Sequence, residues 1–200
     1  MRIALITHSE ASHTVEGKVG GWYDSALTEN GKKQAIRLAA KLKAHNFDID
    51  QSIVYSSDLK RAAQTAEIVT RHTNIIPVLD PRLREMSFSS HEGMSQEEHM
   101  KEMVPQSPTG DRLDHQICDG AETRRILATR VSEFINDVWT GKQDLILVTH
   151  GFAATFVIAA FQQIEISSMV FVNYKLNPGS LTILEEDDLF RNRTVRVLNG

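Results

Sequence analysis

The chain of 200 residues holds a single cysteine, Cys118, which excludes an intrachain disulfide and fits a reducing compartment. Long hydrophobic runs are missing as well. The longest, Phe152 to Phe161, falls well short of the roughly 20 residues that a membrane helix needs, and the apolar run after Met1-Arg2 is strand-sized, too short for a signal peptide. There is no excess of positive charge. Lys and Arg number 22 against 26 Asp and Glu, and the resulting formal net charge of -4 argues against nucleic acid or an anionic membrane as partner. A small soluble ligand and a cytoplasmic location are expected, and association into a homodimer is left open. With 41% hydrophobic residues and no internal repeat or low-complexity segment, residues 1–200 read as one domain with a full core.

Against these absences, two apolar runs end alike: Ile3-Ala4-Leu5-Ile6 leads into Thr7-His8-Ser9, and Leu145-Ile146-Leu147-Val148 leads into Thr149-His150-Gly151. If both are parallel strands of one sheet, both imidazoles emerge at its carboxyl edge, where open α/β sheets bind ligands. Paired histidines there suggest chemistry on an anion.

Strand-like and helix-like patterns alternate along the chain. Thr28 opens a helical pattern with Ala35, Leu38, Ala39 and Leu42 facing inward. Residues 52–56 read as a second strand, followed by a helix that Ser57 or Asp58 can cap and that buries Leu59, Ala62, Ala63, Ala66 and Val69. Residues 75–79 read as a third strand. From about 87 to 119 periodicity is weak, so this stretch is expected to be a lid-like excursion in which Met94, Met100 and Met103 line a pocket or fill the excursion's own core. Leu127, Val131, Phe134, Ile135 and Val138 mark a further helix, and residues 180–184 and 194–198 a closing pair of strands. The expected fold is α/β in three layers, a mostly parallel sheet with helices on both faces.

Residues near the strand ends must carry any chemistry. A neutral imidazole at His8 is a competent nucleophile toward phosphorus, although a histidine in such a place can also be merely packed. Arg61 falls in the first turn of a helix, where free N–H groups and the helix dipole already favour an anion, and its guanidinium can clamp two phosphate oxygens; an exposed helix arginine is the alternative. Glu85 can protonate a leaving alkoxide and then deprotonate water, or simply pair with Arg82 and Arg84. His8, Glu10, His13 and His150 are residue types that bind metals, but their spacing is no metal-site signature, and no metal or cofactor is expected. His72, His91, His99 and His115 stand in polar contexts and read as solvated or as parts of the excursion.

Taken together, these segments resemble the histidine phosphatase superfamily, also called phosphoglycerate mutase-like. Thr7-His8-Ser9-Glu10 is similar to its opening motif, residues 21–31 to the approach to its first helix, and residues 56–66 to its second arginine motif. Leu83-Arg84-Glu85, with Phe88 and Glu92-Gly93, resembles the block that carries its proton donor, and Val148-Thr149-His150-Gly151 its second histidine motif. The resemblance implies a phosphomonoester phosphatase that acts on a small phosphorylated substrate without metal. His8 would become phosphohistidine, Glu85 would be the acid and base, and Arg61 and His150 would hold the phosphate. A phosphomutase is the alternative, and the short excursion after Glu85 leans toward hydrolysis.

Departures from the pattern fall close to the expected site. Thr7 stands where the resemblance calls for a phosphate-clamping arginine; losing such a donor typically costs about 10²–10³ in rate, while a hydroxyl recovers only about 1 kcal/mol. Ser9 and Ser89 stand at glycine positions, His91 at a tryptophan position and Thr14 at an asparagine position. Thr7, Ser9 and Thr14 are nevertheless expected to border the substrate, and Arg82, Arg84 or a residue of the excursion to be available in place of the missing charge. A weak or inactive relative that binds a phosphorylated ligand or a protein partner is the rival reading.

Overall fold

The computed structural model describes every residue from Met1 to Gly200. Its centre is a six-stranded sheet of β1 (Arg2–Thr7), β2 (Ile53–Ser56), β3 (Val78–Leu79), β4 (Leu145–Thr149), β5 (Leu181–Glu186) and β6 (Arg193–Val197), in the order β3-β2-β4-β1-β5-β6. The pairs β2·β3, β2·β4 and β1·β4 are parallel; β5 and β6 are added antiparallel at one side. The chain is a three-layer α/β fold with a mixed, mostly parallel sheet, as its alternating pattern predicts.

Side-chain alternation along the strands divides the core into two layers. Ile3, Leu5, Leu145, Leu147 and Leu184 face one way, against α5 (Arg124–Val138) and α6 (Gly151–Phe161). Ala4, Ile6, Ile146, Val148, Leu181 and Ile183 face the other way, against α2 (Glu29–Ala44) and α3 (Lys60–Thr70). A strand's two-residue period commits consecutive residues to opposite faces, so a slip of one residue would reverse every one of these contacts. Helix α2 buries Gly31, Ala35, Leu38 and Leu42, a stripe at helical spacing. Helix α6 is apolar all round and is buried along nearly its whole length between the sheet and α5. No helix is long and apolar enough to cross a membrane.

Three local expectations change. The third strand is only two residues long, since Pro77 offers no N–H to the ladder and Ile76 is 86% exposed at the sheet's edge. Neither Ser57 nor Asp58 caps α3. Leu59 is its N-cap residue and makes no side-chain cap bond, while the Lys60 N–H donates to Asp24 Oδ1 at 2.7 Å, a cap supplied from elsewhere in the chain. The excursion contains a helix, α4 (Gln96–Glu102), opened by a Ser95/Glu98 capping box, and a short α1 (Ser12–Val15) follows β1. Within the excursion His91 and His99 are buried, not solvated, with their Nδ1 atoms 2.9 Å apart.

Candidate active site

The two Thr-His strand ends meet because β1 and β4 pair in register, Thr7 opposite Thr149. Beyond the last pair, the His8 N–H donates to the Thr149 carbonyl at 2.8 Å, and the two imidazoles lie edge to face with centroids 5.0 Å apart. Strand β2 ends on the same edge, so Ser57 lies next to both and its hydroxyl is 2.9 Å from His150 Nε2.

His8 has a defined tautomer. Its Nδ1 lies 2.8 Å from the Ser9 carbonyl, which can only accept, so Nδ1 carries the proton and Nε2 the lone pair. Burial first, and the Arg61 charge second, push its pKa down to about 3, so the ring is neutral at physiological pH. Arg61 is 1% exposed. It donates from Nη1 to the Tyr23 carbonyl at 2.8 Å, from Nη2 to the Gly21 carbonyl at 2.6 Å, and from Nε to His8 Nε2 at 3.2 Å. Burial lowers its pKa to about 10, opposed by the charges of Glu85, Asp24 and Glu92, and the guanidinium stays charged.

Glu85 does not pair with Arg82 or Arg84. Arg82 is held by Asp80 and Asp137 and Arg84 by Asp58, so neither guanidinium is free to supply a missing charge. The carboxylate instead accepts from the first turn of α6, Oε1 from the Ala153 N–H at 2.9 Å and Oε2 from the Phe152 N–H at 3.0 Å, and Oε1 also accepts from the N–H of the next residue, Met86, at 2.9 Å. The segment before it is fastened by Arg130, which donates to the carbonyls of Arg82, Arg84 and Glu85 and to Glu122.

His8, Arg61 and Glu85 border one cavity of about 500 Å³, roofed by the excursion. His150 is fully buried against His8 instead of standing on the wall, and its Nδ1 has no hydrogen-bond partner. Burial, then Arg61 and His8, hold it neutral. The structure does not bring Thr7, Ser9 or Thr14 to the wall. The Thr7 hydroxyl donates to the Asn177 carbonyl and lies against Ser180, Ser9 is buried with its hydroxyl unpartnered, and Thr14 is exposed. Glu10 turns to Thr28 and Asn30 at the start of α2, away from any shared site with His13.

Sequence reasoning missed several wall residues. His13 stands 6.0 Å from His8, centroid to centroid, bonded through Nδ1 to the Ser25 hydroxyl at 2.6 Å. Arg112, His115, Arg124 and Phe152 also line the cavity, and of the three methionines in the excursion only Met103 does. Their one advance signal was polarity inside an unpatterned stretch, which does not tell a wall from a surface.

The profile of the histidine phosphatase superfamily (branch 1) matches residues 3–197. The chain belongs to this superfamily. Among its relatives, phosphoglycerate mutase-like protein 4 of Arabidopsis thaliana is 33% identical over 156 residues, 74% of this chain and 66% of that protein. The probable phosphoglycerate mutase GpmB of Cronobacter sakazakii is 31% identical over 163 residues, 76% of this chain and 71% of its own length. The alpha-ribazole phosphatase of Shigella flexneri superposes with a TM-score of 0.81 at 25% identity, covering 100% of this chain and 96% of its own. A mycobacterial glucosyl-3-phosphoglycerate phosphatase shares the fold, with a TM-score of 0.80 at 23% identity over 100% of this chain and 98% of its own. Superfamily relatives thus include both phosphatases and mutase-like proteins.

Proposed function

We propose that the chain is a phosphomonoester phosphatase working through a phosphohistidine on His8. The observation that carries this is the His8 ring: buried, neutral, with Nδ1 tied to the Ser9 carbonyl and the Nε2 lone pair beside the Arg61 guanidinium on the cavity wall. An arriving phosphoryl oxygen takes over the Arg61 N–H, which frees the lone pair for attack. The N–P bond forms as the P–O bond to the leaving group breaks. Glu85 Oε2, which accepts one N–H where Oε1 accepts two, carries the proton that goes to the leaving oxygen. The same oxygen then removes a proton from the water that displaces phosphate from His8. In this reading His150 Nε2 accepts from the Ser57 hydroxyl, 2.9 Å away, and its Nδ1, which has no partner in the fold, carries the proton that is donated to a phosphoryl group on His8. Positioning and charge stabilisation are what phosphoryl transfer chiefly requires.

Thr7 sets the rate. Its hydroxyl is committed to Asn177, and Arg82 and Arg84 are held by carboxylates, so none of the three supplies the clamping charge. A catalytically weak phosphatase follows, about 10²–10³ slower than the same site with that donor. The test is phosphohistidine labelling from a generic labelled phosphomonoester, kept at neutral to alkaline pH, in the native chain, His8→Ala and Thr7→Arg. Weak His8-dependent labelling that Thr7→Arg strengthens is the expected result; no label in either the native chain or Thr7→Arg sinks the enzyme reading.

A further inference from the structure

One titratable group at the phosphoryl end of the cavity has no part in the chemistry proposed above. His13 stands on the wall that also holds His8 and Arg61, its ring centroid 6.0 Å from that of His8 and its plane tilted by 55°. The backbone makes room for it. Gly20 has no side chain, and a methyl group there would stand 2.8 Å from His13 Nε2. The next residues of that segment, Gly21 and Tyr23, offer the carbonyls that accept from Arg61, so one stretch of chain sets both the imidazole and the guanidinium against His8. His115, the remaining imidazole on the wall, belongs to the excursion and contacts the Val104 carbonyl.

The partners of the three histidines decide which of them can change charge. His8 is tied to a carbonyl through Nδ1 and faces the Arg61 N–H at Nε2, so a second proton there would point at a guanidinium. His150 is fully buried against His8. His13 differs from both, because a hydroxyl stands at each ring nitrogen: Ser25 at 2.6 Å from Nδ1 and Thr14 at 3.2 Å from Nε2. A hydroxyl donates or accepts as required, so the neutral ring and the cation are satisfied by the same partners. Thr14 is exposed, and its hydroxyl can give way to a ligand oxygen at Nε2. Burial and then the Arg61 charge, from α3, lower the His13 pKa to about 4, and Glu16, just past α1, raises it. An anion on Arg61 and His8 acts against the second of these causes. Two negative charges about 4 Å away, at an effective dielectric constant of about 20, raise an imidazole pKa by several units.

We propose that His13 is a proton-linked second cation of the phosphoryl site: it takes a proton from water when a dianionic phosphate docks, donates Nε2–H to a phosphoryl oxygen during transfer to His8, and releases the proton when phosphate leaves. The proposal rests on the phosphoryl site at His8 and names the group that balances its charge. The bonds made and broken at phosphorus are those already given. The His13 proton passes neither to the leaving oxygen, which Glu85 serves, nor to His8, which must keep its lone pair.

Calorimetric titration of the full chain with sodium sulfate, at constant ionic strength, tests this without turnover. Sulfate stays a dianion from about pH 5 to 8, so any proton taken up on binding belongs to the protein. Repeating the titration in buffers of different ionisation enthalpy counts those protons. The expected result is uptake of about one proton per sulfate near pH 6, with an affinity that falls about tenfold per pH unit wherever that uptake is complete. His13→Gln should abolish the uptake and leave the affinity nearly independent of pH, while His72→Gln, an exposed control, changes neither. If His13→Gln does not fold, Ser25→Ala carries the test: it removes the hydroxyl that accepts from the protonated Nδ1 and should shrink the uptake several-fold. The proposal is overturned by sulfate binding without proton uptake in the native chain, by uptake that His13→Gln, or in its place Ser25→Ala, preserves, or by no binding at tens of millimolar sulfate. If the uptake depends on His13 while His8 is never labelled, the second cation stands and the phosphatase reading falls; labelling of His8 without proton uptake has the opposite meaning.

Discussion

Lowering the pH from 8 to 5 is expected to weaken the fold by about 4 kcal/mol through His8 and His13, with His150 acting in the same direction. His8 and His13 titrate in the native chain at about 3 and about 4, and His150 is held well below the ordinary value. In each case burial is the largest cause and the Arg61 charge the next. The unfolded chain takes up these protons near pH 6.5, so between that pH and the lowered native values the unfolded state binds more protons and stability rises with pH. The contribution is complete above about pH 6.5 and is lost on acidification. At pH 5 His8 and His13 each cost about 2 kcal/mol, 1.36 kcal/mol for each of roughly 1.5 pH units, and His150 adds to the loss. Lowered carboxylates such as Asp58 and Asp80 lose their contribution only below about pH 4, so the window from 6.5 to 5 reports histidine. Urea unfolding at the two pH values measures the difference directly, and His8→Gln should reduce it by about 2 kcal/mol whatever that variant does to stability at pH 8. A native chain that loses less than about 2 kcal/mol, or a difference that His8→Gln leaves unchanged, would mean that His8 is charged in the folded state and is no nucleophile.

Glu85→Gln should lower kcat by about 10²–10⁴ while phosphate binding changes little, because the general acid is lost and Arg61 is not; equal loss of both in a kinetic and a calorimetric measurement would make Glu85 only a cap for α6. Gly31→Ala should destabilise by about 3 kcal/mol in urea, since its methyl group would stand 2.0 Å from the Glu10 carbonyl oxygen and force α2 away from the loop after His8. Phe134→Ala should cost about 3–5 kcal/mol by the same measurement, because the ring is fully buried and meets Tyr55 edge to face at 5.3 Å.

Whatever depended on local periodicity was legible in the amino-acid sequence. The apolar runs of β1 and β4, the stripe of α2 and the inward face of α5 each repeat within a few residues, and burial follows the repeat. The shared Thr-His ending located the site because parallel strands in register deliver equivalent positions to one edge. What could not be read was set by side-chain partners outside any periodic pattern. Asp24 caps α3 across 36 residues, His91 finds His99 inside the excursion, and Arg125 removes the acids beside Arg112. Adjacency misled at Glu85, where flanking arginines looked like its partners; the α6 N-terminus, 67 and 68 residues away, claims the carboxylate instead.

The two threonines that precede the histidines show how little of a site's electrostatics the strand pattern carries. Both are buried, both close a parallel strand, and they sit opposite each other in register. Thr149 spends its hydroxyl on the Leu83 carbonyl and so ties β4 to the segment that presents Glu85. Thr7 spends its own on the Asn177 carbonyl, in the segment that leads to β5, and contributes nothing to the cavity. The same side chain thus supports the proposed proton donor at one strand end and leaves the proposed nucleophile with only Arg61 bonded to it at the other.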